Sequence, residues 1–143
     1  MINFYLFNLV LAWLYDALTM WQSTGTYPLI LPLLPSVFLM QDVNDDQDLQ
    51  AMATHVLNII ASYPYPPDMV PVMIDKFVEI LTESSSWHVR VKALPVLQVF
   101  FFKHLFMLSK EKTDKVMDVV SGMLKDNQIE VILISYHIFF CCI

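Results

Sequence analysis

MIDKFVEIL, residues 73–81, recurs in pattern as VMDVVSGML at residues 116–124. The two stretches align without a gap, and the matched pairs are Asp75 with Asp118, Phe77 with Val120 and Leu81 with Leu124. Three shorter stretches recur at a similar distance: LQAMA at 49–53, VRVKA at 89–93 and VILIS at 131–135. Self-similarity at a period of roughly 40 residues is the signature of a repeat protein.

Each period contains two apolar patterns of helical spacing, separated by a break. PYPP at 64–67 divides a first helix, 49–63, from a second within 68–86, because proline lacks a backbone donor and ends helices. The predicted buried residues are Leu49, Met52, Ala53, Val56, Leu57 and Ile60 in the first helix, and Val70, Met73, Ile74, Phe77, Ile80 and Leu81 in the second. Since no segment alternates like a strand, the predicted fold is all-α, a HEAT/armadillo-like α-solenoid of stacked helix pairs.

The repeats predict four divisions of the chain. These are an apolar N-terminal helix with a proline-containing segment (1–41), HEAT-like repeats at 42–86 and 87–128, and a truncated repeat with an apolar tail (129–143). The predicted helix N-caps are one of Asp45, Asp46 and Asp48 for the first repeat, Ser86 for residues 87–104, and Ser109 for 109–126.

The N-terminal stretch 1–21 is the strongest membrane candidate, with Asp16 as its one charged residue. Asn3, Asn8 and Asp16 interrupt its apolar run, and no cation marks it as a secretory signal. A buried helix is favoured over a membrane or signal role, with a gene-model artefact as a further alternative. Three prolines, Pro28, Pro32 and Pro35, argue against a long continuous helix in the segment that follows.

The composition is unusually apolar, with 57% hydrophobic and 15% charged residues. This indicates a membrane protein or a piece of a larger core. No Lys or Arg precedes Lys76, and the net charge is −6, so direct binding of nucleic acid is not expected. Lys110, Lys112 and Lys115 alternate with acidic residues, as on a solvated helix face.

No motif for catalysis, metal or cofactor binding is found. The only two glycines, Gly25 and Gly122, rule out a Walker or dinucleotide-binding loop. DVNDDQD at 42–48 resembles the start of a calcium loop, but Gln47 replaces its turn glycine and Ala53 its bidentate glutamate. The histidines lack ligand spacing, and the adjacent Cys141 and Cys142 form no zinc motif or disulfide framework. An enzyme is therefore not expected, and no cofactor is predicted.

SSSWHVRVKALPVLQVFFFKHLFML at 84–108, together with MLKDNQIEV at 123–131, resembles the large single-chain HEAT-repeat proteasome activators that cap the 20S core particle. The resemblance extends over roughly residues 29–131, to the C-terminal part of that family, and SSSWHVR is its most specific element. The residues predicted to form the family motif and repeat core are Trp87, His88, Val89, Arg90, Ala93, Leu94 and Leu97.

The resemblance implies a non-catalytic solenoid that docks on the 20S particle and opens it without ATP or ubiquitin. It further implies a nuclear and cytoplasmic location and a role in the turnover of acetylated histones in DNA repair. The family anchors a C-terminal tyrosine motif in the 20S particle, whereas residues 131–143 hold no charge and end in Cys141, Cys142 and Ile143. A truncated or mis-spliced product is therefore expected, and residues 1–28 are equally suspect. The alternatives are an adaptor or transport solenoid and a small membrane-anchored protein.

Overall fold

The computed structural model describes residues 4–20 and 27–142, without the side chains of Phe4, Tyr27 and Cys142. Within these ranges the chain forms seven α-helices, one 3-10 turn at Leu105–Met107, and no strand. The helices are α1 (Phe4–Met20), α2 (Tyr27–Gln41), α3 (Gln47–Ser62), α4 (Met69–Glu83), α5 (Trp87–His104), α6 (Lys110–Met123) and α7 (Ile129–Cys142). The all-α prediction is confirmed.

The chain forms two compact units, Met1–Tyr65 and Pro66–Ile143. The division falls inside the predicted repeat 42–86, between its two helices. In the first unit, α3 packs against both α1 and α2. In the second unit, α7 packs in the same way against α5 and α6, and α4 also contacts α5 and α6. A helix that packs on both members of the preceding pair is what stacking of helix pairs requires. The fold is an all-α solenoid of helix pairs.

The predicted core residues of α3 and α4 lie where the helical spacing placed them. Eleven of the twelve are buried, and Met52 is half-buried. The predicted cap of α3 is also confirmed, since the Asp46 carboxylate accepts a hydrogen bond from the Leu49 N–H at 2.9 Å. Ser109 caps α6 by accepting from the Lys112 N–H at 3.3 Å. Ser86 occupies the cap position of α5, but its side chain makes no capping hydrogen bond.

The expectation that prolines prevent a long helix near residue 30 is wrong. Helix α2 continues for 15 residues with Pro32 and Pro35 inside it. Each interior proline costs about 3 kcal/mol. The opposing term is burial, because α2 places five large side chains in the core of the first unit: Ile30, Leu34, Val37, Phe38 and Met40. Pro32 is exposed, so its ring demands no space in that core. Packing against α3 therefore outweighs the local preference.

Helix α1 is buried on one side only. Leu11, Leu14 and Leu18 are buried in the first unit, while Leu9 and Trp13 are about half exposed. The favoured prediction of a buried helix therefore holds for one face of α1. Among residues 4–20 and 27–142, no helix has the length and apolarity needed to cross a membrane.

Candidate interaction surfaces

The motif SSSWHVR lies at the junction between α4 and α5. Ser84 is the C-cap of α4, and its hydroxyl donates to the Ser86 carbonyl at 3.3 Å. Trp87 and His88 begin α5 with their rings in contact, 3.8 Å apart between centroids, and both side chains are half-buried. From Val89 onward the core-facing side chains of α5 begin, and Val89, Ala93, Leu94 and Leu97 are buried in the second unit. The motif therefore combines a helix start with the beginning of a core-facing stripe.

Arg90 of the motif connects two junctions of the second unit. Its Nε donates to Asp126 Oδ2 at 2.9 Å, and its Nη2 donates to Asp126 Oδ1 at 3.2 Å. Its Nη1 donates to the Ser84 carbonyl at 3.0 Å. Asp126 also accepts from the Gln128 N–H at 3.0 Å, immediately before α7 begins. One guanidinium thus holds the α4–α5 junction to the α6–α7 junction, and a planar fork with several donors suits this role.

The Arg90–Asp126 pair is largely withdrawn from solvent, with side-chain exposures of 15% and 10%. Burial raises the pKa of Asp126, but the hydrogen bonds from Arg90 and from the Gln128 N–H outweigh it. The pKa of Asp126 therefore lies below its ordinary value. The carboxylate is therefore ionised near neutral pH, as its bidentate pairing requires.

A second ionic cluster joins α4 to α6 at the surface. Lys112 Nζ donates to both carboxylate oxygens of Asp75 at 2.6 Å, and Lys115 Nζ donates to Asp75 Oδ1 at 3.1 Å. Burial raises the pKa of Asp75, but the two lysines outweigh it and the pKa lies below its ordinary value. Of the lysines predicted to lie on a solvated helix face, Lys110 and Lys115 are exposed, whereas the Lys112 side chain is 25% exposed. Exposed pairs of this kind contribute at most about 1 kcal/mol each.

The sequence identified Arg90 as a motif residue, but it predicted neither Asp126 as the partner of Arg90 nor Asp75 as the partner of Lys112. A signal for Asp126 was present, because the internal alignment places this residue beside Glu83 at the end of the corresponding helix. No local spacing connects Arg90 to a residue 36 positions away. Only the stacking of α7 on α5 and α6 brings them together.

Helix α7 presents apolar residues on two opposite sides. Val131, Ser135 and Ile138 form its buried side, whereas Leu133 and Phe140 are each more than half exposed. Helices that are apolar all round are normally covered on all sides. The outer side of α7 is therefore a candidate interaction surface.

The Ser135 hydroxyl lies on the buried side of α7 and has no hydrogen-bond partner among the residues that the structure describes. A buried hydroxyl without a partner costs about 1 to 3 kcal/mol. We therefore expect Ser135→Ala to leave the free energy of unfolding unchanged or to raise it by about 1 kcal/mol, measured by urea denaturation. Ser109→Ala, which removes the α6 cap, is expected to lower it by about 1 kcal/mol. A loss at Ser135 as large as that at Ser109 would contradict this expectation.

Comparison with known proteins gives relatives of one kind. Proteasome activator complex subunit 4B of Danio rerio is 34% identical over 131 residues, which cover 88% of this chain. Over the matched residues, the chain belongs to the proteasome activator subunit 4 family. Subunit 4A of Danio rerio is also 34% identical over 88% of the chain, and subunit 4 of Homo sapiens is 32% identical over 71%. The resemblance seen in the sequence is confirmed.

The match is a local one. The chain spans 7% of the length of either Danio rerio subunit and 6% of the human one. No family model matches the chain, and no solved structure does. The matches to the Danio rerio subunits leave fewer than 28 residues of the chain uncovered. Their match therefore extends into residues 1–28, which the resemblance noted above did not cover.

Proposed function

We propose that this chain is a non-catalytic interaction segment of the proteasome activator type, which binds the 20S core particle. The observation that carries the proposal is its match to proteasome activator subunit 4 over up to 88% of its length. The stacked helix pairs are consistent with this role, because solenoids act by presenting an extended surface to other proteins. Stimulation of degradation without ATP or ubiquitin is the second part of the proposal. The third part is that acetylated histones are substrates and that the protein is located in the nucleus and the cytoplasm.

Binding is tested by co-sedimentation of the 143-residue chain with purified 20S particles. We expect the chain to pellet with the particles in a saturable manner and to remain in the supernatant without them. Leu97→Asp provides a control, because a carboxylate at a buried core position should unfold the second unit and abolish specific pelleting. Failure of the folded chain to pellet with 20S particles at any soluble concentration would contradict binding.

Activation and substrate choice need separate measurements. Faster hydrolysis of a fluorogenic peptide by 20S particles in the presence of the chain would support activation. Binding without faster hydrolysis would exclude activation by this chain while leaving the docking proposal in place. Pull-down with acetylated and unmodified histone tail peptides tests the substrates, and equal recovery of the two would contradict recognition of acetyl-lysine.

A further inference from the structure

The outer side of α7 carries a continuous apolar stripe, which we call the α7 stripe. It consists of Ile129, Leu133, Tyr136 and Phe140, with exposures of 59%, 61%, 56% and 58%. The Tyr136 and Phe140 rings lie against each other, with centroids 4.3 Å apart. More than half of each of the four side chains is therefore in contact with water, although α7 is already packed on its other side.

The spacing of the α7 stripe indicates what kind of partner covers it. Its residues follow one another at intervals of four, three and four positions. This is the a/d spacing of a helix that packs side by side with another helix, with knobs from each entering holes on the other. A second helix therefore fits the stripe geometrically.

The chemistry of the stripe separates it from the exposed apolar face of α1. On α1, Leu9, Trp13 and Met20 are exposed at similar spacing, but Asp16 lies among them. Covering α1 with an apolar helix would desolvate that carboxylate. The α7 stripe contains no ionisable acid or base except the Tyr136 phenol, and Glu130 lies beside its first residue. Helix α7 is therefore better suited than α1 to apolar pairing with another helix.

We propose that a second copy of this chain covers the α7 stripe, with the two α7 helices antiparallel. In this arrangement Ile129 faces Phe140 of the second copy, and Leu133 faces Tyr136 of the second copy. Each aliphatic side chain then meets an aromatic one, so that large and small residues alternate across the seam. A parallel pair would instead place Phe140 against Phe140.

Charge favours the same orientation. In a parallel pair, the Glu130 carboxylates of the two copies would lie side by side and repel each other. In an antiparallel pair the two carboxylates lie at opposite ends of the contact. The two helix dipoles then point in opposite directions, which is their favourable side-by-side arrangement. The contact is symmetric, so that it closes on itself as a dimer and does not extend into a fibre.

The size of the surface predicts a weak dimer. Pairing would bury on the order of 1,000 Å² over both copies, given that a fully buried aromatic side chain removes about 150 to 250 Å². This is near the lower limit for specific interfaces. We therefore expect dissociation in the micromolar range.

Sedimentation equilibrium on the 143-residue chain over a range of concentrations tests the proposal. We expect a monomer–dimer equilibrium, and at least a tenfold weaker association for Leu133→Glu. Tyr136→Gln is a milder second variant with the same expected direction. Trp13→Glu is the matched control, because it adds the same charge to the exposed apolar face of α1 and should leave association unchanged. Circular dichroism verifies that each variant keeps its helix content.

Two outcomes would overturn the proposal. One is a wild-type chain that stays monomeric throughout; the other is association lost in Trp13→Glu but kept in Leu133→Glu. Orientation is tested by disulfide formation between single-cysteine variants in which Cys141 and Cys142 are serine. Mixing Ile129→Cys with Phe140→Cys should give a cross-linked heterodimer. Cross-linking of Ile129→Cys with itself alone would show a parallel pair.

Discussion

Replacing Asp126 by alanine is expected to lower the free energy of unfolding by about 2 to 4 kcal/mol. The substitution leaves the Arg90 guanidinium in a site where its side chain is only 15% exposed and its carboxylate partner is gone. It also removes the acceptor of the Gln128 N–H, just before α7. Urea denaturation followed by circular dichroism measures the loss. Asp126→Asn keeps the shape but not the charge, and an intermediate loss is expected.

The pH dependence of this effect has a definite sign. Because the pKa of Asp126 is lowered on folding, its ionised form stabilises the folded state above the unfolded-state pKa of about 3.9. This contribution is lost as the pH falls through the lower, folded-state pKa. The difference in unfolding free energy between wild type and Asp126→Asn should therefore be constant near neutral pH and shrink below about pH 4. A difference that persists undiminished in acid would show that charge is not its origin.

Asp118 provides the matched control for Asp126. It is an exposed aspartate on α6 in the same unit, and removing it should change the unfolding free energy by less than about 0.5 kcal/mol. Arg90→Lys should also destabilise, because one ammonium cannot reproduce a bidentate contact together with a bond to the Ser84 carbonyl. Equal, small effects at Asp126 and Asp118 would contradict the role assigned to the Arg90–Asp126 pair.

The elements of the fold were predictable where packing and local preference agree. In α3 and α4 the apolar spacing selected the buried side chains, and Asp46 was one of three proposed caps. Prediction failed for α2, because the penalty of Pro32 and Pro35 is local while the compensating burial depends on α3. Local rules overestimate how strongly a proline disfavours a helix when that helix also has a strong apolar face, because tertiary packing can override local preference.

The ionic contacts and the α7 stripe could not be located from the sequence for a different reason. Arg90 and Asp126, like Asp75 and Lys112, meet only after helices from successive pairs have stacked. Helix α7 also reads as apolar all round, so its sequence does not distinguish the side that packs on α5 and α6 from the side left exposed. In a repeat fold the period predicts the units, but the contacts between units require the register of the stack.

Phe100→Ala is expected to have the largest effect of any single substitution considered, a loss of about 3 to 5 kcal/mol in the free energy of unfolding. Phe100 is fully buried, and its ring lies 5.4 Å from that of Phe77 on α4 and 4.4 Å from that of His104. Truncation removes the ring and leaves a cavity between α4 and α5, because close-packed neighbours relax only in part. The midpoint of urea denaturation should fall accordingly, while the helix content at zero denaturant is kept if the remaining stability suffices.

Phe102→Ala is the matched control, two positions away on the same helix. Its side chain is 41% exposed, so the same truncation should cost less than about 1 kcal/mol. The double variant Phe77→Ala with Phe100→Ala should cost less than the sum of the single variants, since the two rings share one contact and one cavity. Strict additivity would argue against that shared cavity. Equal losses for Phe100→Ala and Phe102→Ala would mean that α5 is rotated from the orientation described, and would remove the basis for placing Arg90 beside Asp126.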